Sequence, residues 1–198
     1  MKQVPVLKEF YLKQVVPSLM KEHGFENIHD VPKVEKVVLN SRIDSGLDKA
    51  HIEQLVKEMG LIAGQKPLIT KAKKSISNFK LREGMSAGVK VTLRGDRMYD
   101  FLYRLINVAL PVIRDFRGVA KKMDKQGNLN IGIADHTIFP EIKIETSNRQ
   151  NVGLDIAIVT NVSKDSDALL LLEKLGMAFT NGVITLSNTP VQQEMHTP

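Results

Sequence analysis

Three features of the chain predict an α+β fold with a mainly antiparallel sheet. The hydrophobic pattern changes period in the order helix, strand, helix, strand, strand, helix, strand, strand, helix. The two consecutive middle strands read as a hairpin, although the loop between them is too long for a tight turn. In Gly88 to Arg94 apolar and polar residues alternate strictly, with Val89, Val91 and Leu93 on one side and Lys90, Thr92 and Arg94 on the other. Helices are therefore expected on one face of the sheet, and the other face, basic and polar, is expected to stay open.

Leu7, Phe10, Tyr11, Val15, Leu19 and Met20 recur at helical spacing and predict a helix over residues 4–22. Pro17 should kink or divide it, because proline removes a backbone donor, and His23-Gly24 supplies the stop. Val34 to Asn40 is a β-branched run and reads as the first strand. Asp48 is placed to cap a helix from about Lys49 to Leu61, with Ile52, Leu55, Val56 and Met59 as its buried stripe. Pro67 to Thr70 and Gly88 to Arg94 are the second and third strands. Asp96 is placed as the N-cap of a long helix to about Ala109, with Met98, Leu102, Leu105, Ile106 and Ala109 inside and Pro111 disrupting its end. Leu129 to Ile133 is a short strand, residues 134–152 have no period and read as irregular, and Leu154 to Val162 is a strand. Ser163, Asp165 and Asp167 open a last helix that buries Ala168, Leu171, Leu172 and Leu175, with Gly176 beyond its end. This gives one domain over residues 1–179. An extension over 180–198 is expected to be irregular or to form a small hairpin at Asn181-Gly182.

Charge is the feature that points to function. Residues 64–104 carry ten Lys and Arg against three acids, a local charge of +7 in a chain whose total is +6. Positive charge concentrated in one place is the footprint of a polyanionic partner. The two middle strands and the cationic loop between them make a surface suited to RNA. Aromatic residues are only 5% of the chain, and Lys90, Thr92 and Arg94 occupy the outward positions where an aromatic-stacking module would place its rings. The face suits phosphates, 2′-hydroxyls and base edges of folded RNA better than splayed bases.

Other chemistries find little support. With no cysteine there is no disulfide framework, thiolate metal site or cysteine nucleophile. The five histidines lack metal-ligand spacing, and no cofactor or metal is expected. Gly60 to Pro67 fails as a phosphate loop, since its glycines are too close and proline stands where the hydroxyl belongs. Arg94-Gly95-Asp96 is explained by a turn and a helix cap. Asp135, Glu141 and Glu145 read as solvated carboxylates, and no serine sits in a nucleophile elbow, so no residue supports an enzyme. Charges at Lys2, Lys8, Glu9 and Lys13 exclude a signal-peptide core, and no apolar run approaches a membrane span. A soluble, intracellular protein without a membrane partner is expected.

Several blocks resemble bacterial large-subunit ribosomal protein L-five. They are Gly64 to Ser75, Phe79 to Gly84, Val89 to Gly95 and Ile113 to Gly118, with Val31 to Asn40, Phe139 to Ile142 and Leu175 to Phe179 in support. The likeness is collinear over roughly residues 4–179. It implies a structural constituent of the cytoplasmic ribosome that binds 5S rRNA in the central protuberance. Other implied partners are large-subunit rRNA, neighbouring large-subunit proteins, P-site tRNA and small-subunit protein S-thirteen. Asn40, Gln65 and Thr92 fall on positions that hydrogen-bond the RNA in that family, and with the cations beside them the expected 5S rRNA set is Asn40, Gln65, Lys66, Lys90, Thr92 and Arg94. The loop Lys71 to Ala87 matches the part that reaches P-site tRNA, giving Lys71, Lys73, Lys74, Ser75, Phe79, Lys80 and Arg82 as its contacts. Residues 139–152 match the intersubunit bridge, with Glu141, Lys143 and Arg149 as candidates. An extra-ribosomal RNA-binding regulator and an RNA-metabolising enzyme on the same fold remain alternatives; a titratable cluster in a deep pocket would mark the enzyme.

The chain departs from the family at three turns. Ser41-Arg42-Ile43-Asp44 replaces the usual Met-Gly-Val-Gly, so any left-handed backbone there is expected to move, towards Gly46. Asp124-Lys125-Gln126-Gly127-Asn128 lacks the usual central arginine, and Lys143-Ile144-Glu145 replaces an acidic Asp-Tyr-Asp.

Overall fold

The strand read over Val34 to Asn40 becomes the centre of a sheet. The computed structural model describes residues 4–25, 27–43, 49–142 and 152–180. Among them are strands β1 (Val34–Arg42), β2 (Leu68–Lys71), β3 (Ser86–Leu93), β4 (Leu129–Ile133) and β5 (Leu154–Thr160). They form one sheet in the order β2-β3-β1-β5-β4, with every neighbouring pair antiparallel. Alternation decides which side is buried. Val37, Leu39, Val89, Val91, Leu93, Ile156 and Ile158 are almost without exposure and share one core with the helices.

Four helices supply the other layer among the described residues. The first, α1, is Val6–Phe10, a π-helical turn Tyr11–Val15, and Val16–His23 in succession. Then come α2 (Lys49–Ala63), α3 (Asp96–Arg104, π-helical Leu105–Ala109, Leu110–Val112) and α4 (Asp165–Lys174). The α1 helix lies against α3, and α2 against both β3 and α3. The α+β architecture read from the sequence is the one found, and the helix bounds differ for physical reasons. Neither proline divides its helix. Pro17 and Pro111 each sit in the first turn of an α-helical piece just after a π-helical turn. The wider turn accommodates the missing donor and the ring without breaking the rod.

Asp96 is the first helical residue rather than the cap, which is Gly95; its carboxylate is bound by Lys8 at 2.7 Å and so ties α3 to α1. Residues 134–142 are irregular, as the sequence reads them, yet they lend His136, Phe139 and Ile142 to the buried interior. A short 3₁₀ turn, His136–Ile138, leads into Phe139, which is fully buried and stacks on Phe101 with ring centroids 5.8 Å apart. His136, 1% exposed, lies 2.7 Å from the Glu58 carboxylate through Nε2 and 3.0 Å from the Val152 carbonyl through Nδ1, fastening α2 to the β4–β5 connection. Apolar periodicity does not register such a segment, because a turn and one aromatic anchor have no period.

Residues 41–43 and the turn at 124–128, two of the stretches that depart from the family, lie within the described residues. Ser41 and Arg42 continue β1, and the buried Ser41 hydroxyl donates to the Gly153 carbonyl at 2.9 Å. In the 124–128 turn Asp124 accepts from the backbone of Gln126 and Asn128 and from the Asn128 side chain, at 2.7 to 3.0 Å. Those bonds, the Asn128 side chain first, hold the Asp124 carboxyl below its usual range. Gly127, at φ 75°, lies so close to Val162 that an added Cβ would stand 2.1 Å from its carbonyl oxygen. No arginine is needed to build this turn. Gly46, Asp48, Lys143, Glu145, Arg149 and the Asn181-Gly182 hairpin lie outside the described residues.

Candidate nucleic-acid interface

Strand register assembles the open face. Lys90 of β3 stands opposite Asn40 of β1, and Thr92 opposite Val38. Beyond β1, Asn40 faces Asp155 and Val38 faces Ala157 on β5, which in turn face Gly132 and Asn130 on β4. On the other flank Leu68 and Thr70 of β2 pair with Lys90 and Gly88. These positions carry no aromatic ring, in keeping with a surface for folded RNA rather than stacked single bases.

Gln65 joins the patch from the turn after α2. Its amide donates to the Thr92 carbonyl at 3.5 Å, and its side-chain oxygen accepts from Arg97 at 3.4 Å. Arg94, one residue past β3, is 3.8 Å from Glu35 and exposed, as are Lys66 and Lys90. The six expected RNA contacts therefore lie together on the β3 side of the face. Sequence reasoning missed Lys36, Arg42, Asn130 and Asp155 on the same face. Alternation along β1, β4 and β5 carries the signal for them. The open face is not uniformly basic. Its cations sit on β1 and β3 and at the β3 rim, while the β5–β4 half is small and polar, with Ala157, Gly132, Asn130 and the acid Asp155.

The segment between β2 and β3 is a hydrogen-bonded arm rather than an irregular loop. Ala72 and Gly84 bond across its base, Ile76 and Leu81 exchange two backbone bonds, and a 3₁₀ turn, Ser77–Phe79, makes the tip. Ser75 is spent internally, its hydroxyl accepting from the Glu83 amide at 2.9 Å. Phe79 is 70% exposed at the tip, and Lys71, Lys73, Lys74, Lys80 and Arg82 are exposed, with no ion pair among the described residues. The bridge candidate Glu141 points inward: it is ion-paired with Arg104, which also donates to the Ile62 carbonyl at 2.9 Å. The solvated reading of Glu141 does not hold. Among the described residues no group of His and acids is arranged to hold a metal, and no helix is long and apolar enough to cross a membrane.

The profile of ribosomal protein L5 matches residues 27–82, and that of the ribosomal L5P family C-terminus matches residues 86–179. The chain belongs to the ribosomal protein L5 family. It is 50% identical to large ribosomal subunit protein uL5 of Lactobacillus johnsonii over 87% of this chain and 97% of the relative. It is 53% identical to the uL5 of Fervidobacterium nodosum over 87% and 95%, and 52% identical to that of Halothermothrix orenii over 88% and 98%. The strands of the open sheet face fall within the matched residues, β1 and β2 in the first profile and β3, β4 and β5 in the second, and so does the arm except for residues 83–85.

Proposed function

We propose that the chain is a structural constituent of the large ribosomal subunit, not an enzyme, and that the open face of its sheet binds 5S rRNA in the central protuberance. The observation that carries this reading is the convergence of Asn40, Lys90, Thr92 and Gln65 on one exposed patch, rimmed by Arg94 and Lys66, in a chain whose relatives are named for the large subunit. Lysine and arginine supply phosphate contacts, and the small amides and hydroxyl supply hydrogen bonds to sugar and base edges. The arm, with five cations and an exposed ring, is assigned to P-site tRNA. Contact with small-subunit protein S-thirteen falls to Lys143 and Arg149, since Glu141 is committed to Arg104. Large-subunit rRNA and neighbouring large-subunit proteins complete the partners.

Filter binding to 5S rRNA across a salt series tests the central assignment. Lys90→Ala combined with Arg94→Ala should weaken binding and flatten the log–log salt slope by about two phosphate contacts' worth. Unchanged affinity and slope would remove the sheet face from the interface.

A further inference from the structure

Asp155 is an anomaly on a face assigned to a polyanion. It is exposed near the start of β5, opposite Gly132 near the end of β4, and its carboxylate lies 3.8 Å from where a Cβ on Gly132 would stand. It has no hydrogen-bond or ion-pair partner among the described residues, whereas the other acid near this face, Glu35, is matched by Arg94. Val38, Gly132 and Ala157 leave the surface around it low, so that Asn40, Asn130 and Asp155 are the polar groups of a shallow concavity. An ionised carboxylate only accepts hydrogen bonds. Set against phosphates it would repel them, and set against donors it would bind them.

We propose that this half of the face reads donors in the wide, shallow groove of an A-form RNA duplex, with Asp155 as the accepting group, while the β3 half holds the phosphates. The inference rests on the 5S rRNA reading and adds a division of labour to it. In one cross-strand row Lys90, Asn40 and Asp155 follow one another. With strands about 4.8 Å apart, cation and acid stand about 10 Å from each other. A duplex lying across that row presents a phosphate backbone to Lys90 and its groove to Asp155. The donors available in that groove are ribose 2′-hydroxyls and the guanine amino group. The missing side chains at Gly132 and Ala157 let the groove edge come close to the strands.

The test measures 5S rRNA affinity of Asp155→Asn, an exposed substitution of the same shape, with Asp155→Ala as a second variant and melting temperature as the folding control. Both are expected to bind at least fivefold more weakly, with the salt slope unchanged. A spectator acid predicts the opposite sign, because removing a negative charge relieves phosphate repulsion; equal or tighter binding overturns the proposal. Two modified RNAs separate the donors. If 2′-deoxy substitution abolishes the difference between wild type and Asp155→Asn, the donor is a hydroxyl; if inosine in place of guanosine abolishes it, the donor is the amino group. A difference that survives both substitutions overturns the groove assignment. Wild-type protein that does not bind 5S rRNA overturns the parent reading and this one with it. A Lys90→Ala defect without an Asp155→Asn defect overturns this one alone.

Discussion

Tyr11 fastens α1 to the segment that leads into the central strand. Its hydroxyl donates to the Pro32 carbonyl at 2.9 Å, and its ring lies 6.1 Å from that of Tyr99. Burial, and secondarily the charge of Tyr99, pushes its pKa from 10.0 up to about 12. The folded protein thus holds the phenol proton more tightly than the unfolded chain. Stability is complete below pH 10 and falls as pH climbs from 10 towards 12, by about 2 to 3 kcal/mol at the limit. Tyr11→Phe should lose about 1 kcal/mol at neutral pH with its hydrogen bond, yet show a shallower alkaline decline. Tyr99, raised by burial as well, keeps part of the slope. Urea midpoints from pH 8 to 11.5 measure this, and an alkaline slope equal to wild type would show that Tyr11 is not its source. At the interface, Thr92→Val keeps shape and strand preference while removing one hydroxyl. If Thr92 hydrogen-bonds RNA, the variant should bind 5S rRNA more weakly by about 1 to 3 kcal/mol at matched salt. Gly127→Ala should cost more than about 2 kcal/mol of folding stability, since both the φ of 75° and the Val162 carbonyl oppose a Cβ.

At the scale of elements, the strands were the most legible part of the sequence. Val89, Val91 and Leu93 inward with Lys90 and Thr92 outward is what period-two alternation predicts, and the structure keeps it. The arm was not legible, because its order comes from backbone bonds between residues such as Ala72 and Met85 that no apolar period records. The same limit hid the inward turn of Glu141, which depends on Arg104 arriving from a distant helix. Order in the arm has a measurable signature. The amides of Ala72, Ile76 and Leu81 should exchange more slowly than those of Lys73 and Lys74. Replacing Lys73, Lys74, Lys80 and Arg82 with alanine should leave isolated 5S rRNA binding nearly unchanged while weakening P-site tRNA retention, most visibly at raised salt. Loss of 5S rRNA binding with normal tRNA retention would mean that the two surfaces have been exchanged.

For the whole molecule, the last described residues meet the stretch after α3. Val119 and Phe179 form a parallel bridge, the Val119 amide donates to the Ala178 carbonyl, and the Thr180 amide donates to the Val119 carbonyl. The family match also ends at residue 179. Truncation after Thr180 should therefore keep both melting temperature and 5S rRNA affinity; a marked fall in either would assign residues 181–198 to the domain. The central position of β1 has a further consequence, for the order of events during synthesis. This strand lies early in the chain, yet its two neighbours, β3 and β5, come from the middle and near the end. Until β5 leaves the ribosome that makes it, β1 has one bare edge and the core lacks Ile156 and Ile158. Pairings so distant in sequence close slowly, and an unpaired strand invites the wrong partner. The β2–β3 hairpin and its cationic arm, by contrast, are local and can form first. A newborn copy is thus expected to display its arm before its sheet face is complete, and pulse proteolysis of stalled nascent chains should find the hairpin protected before β1.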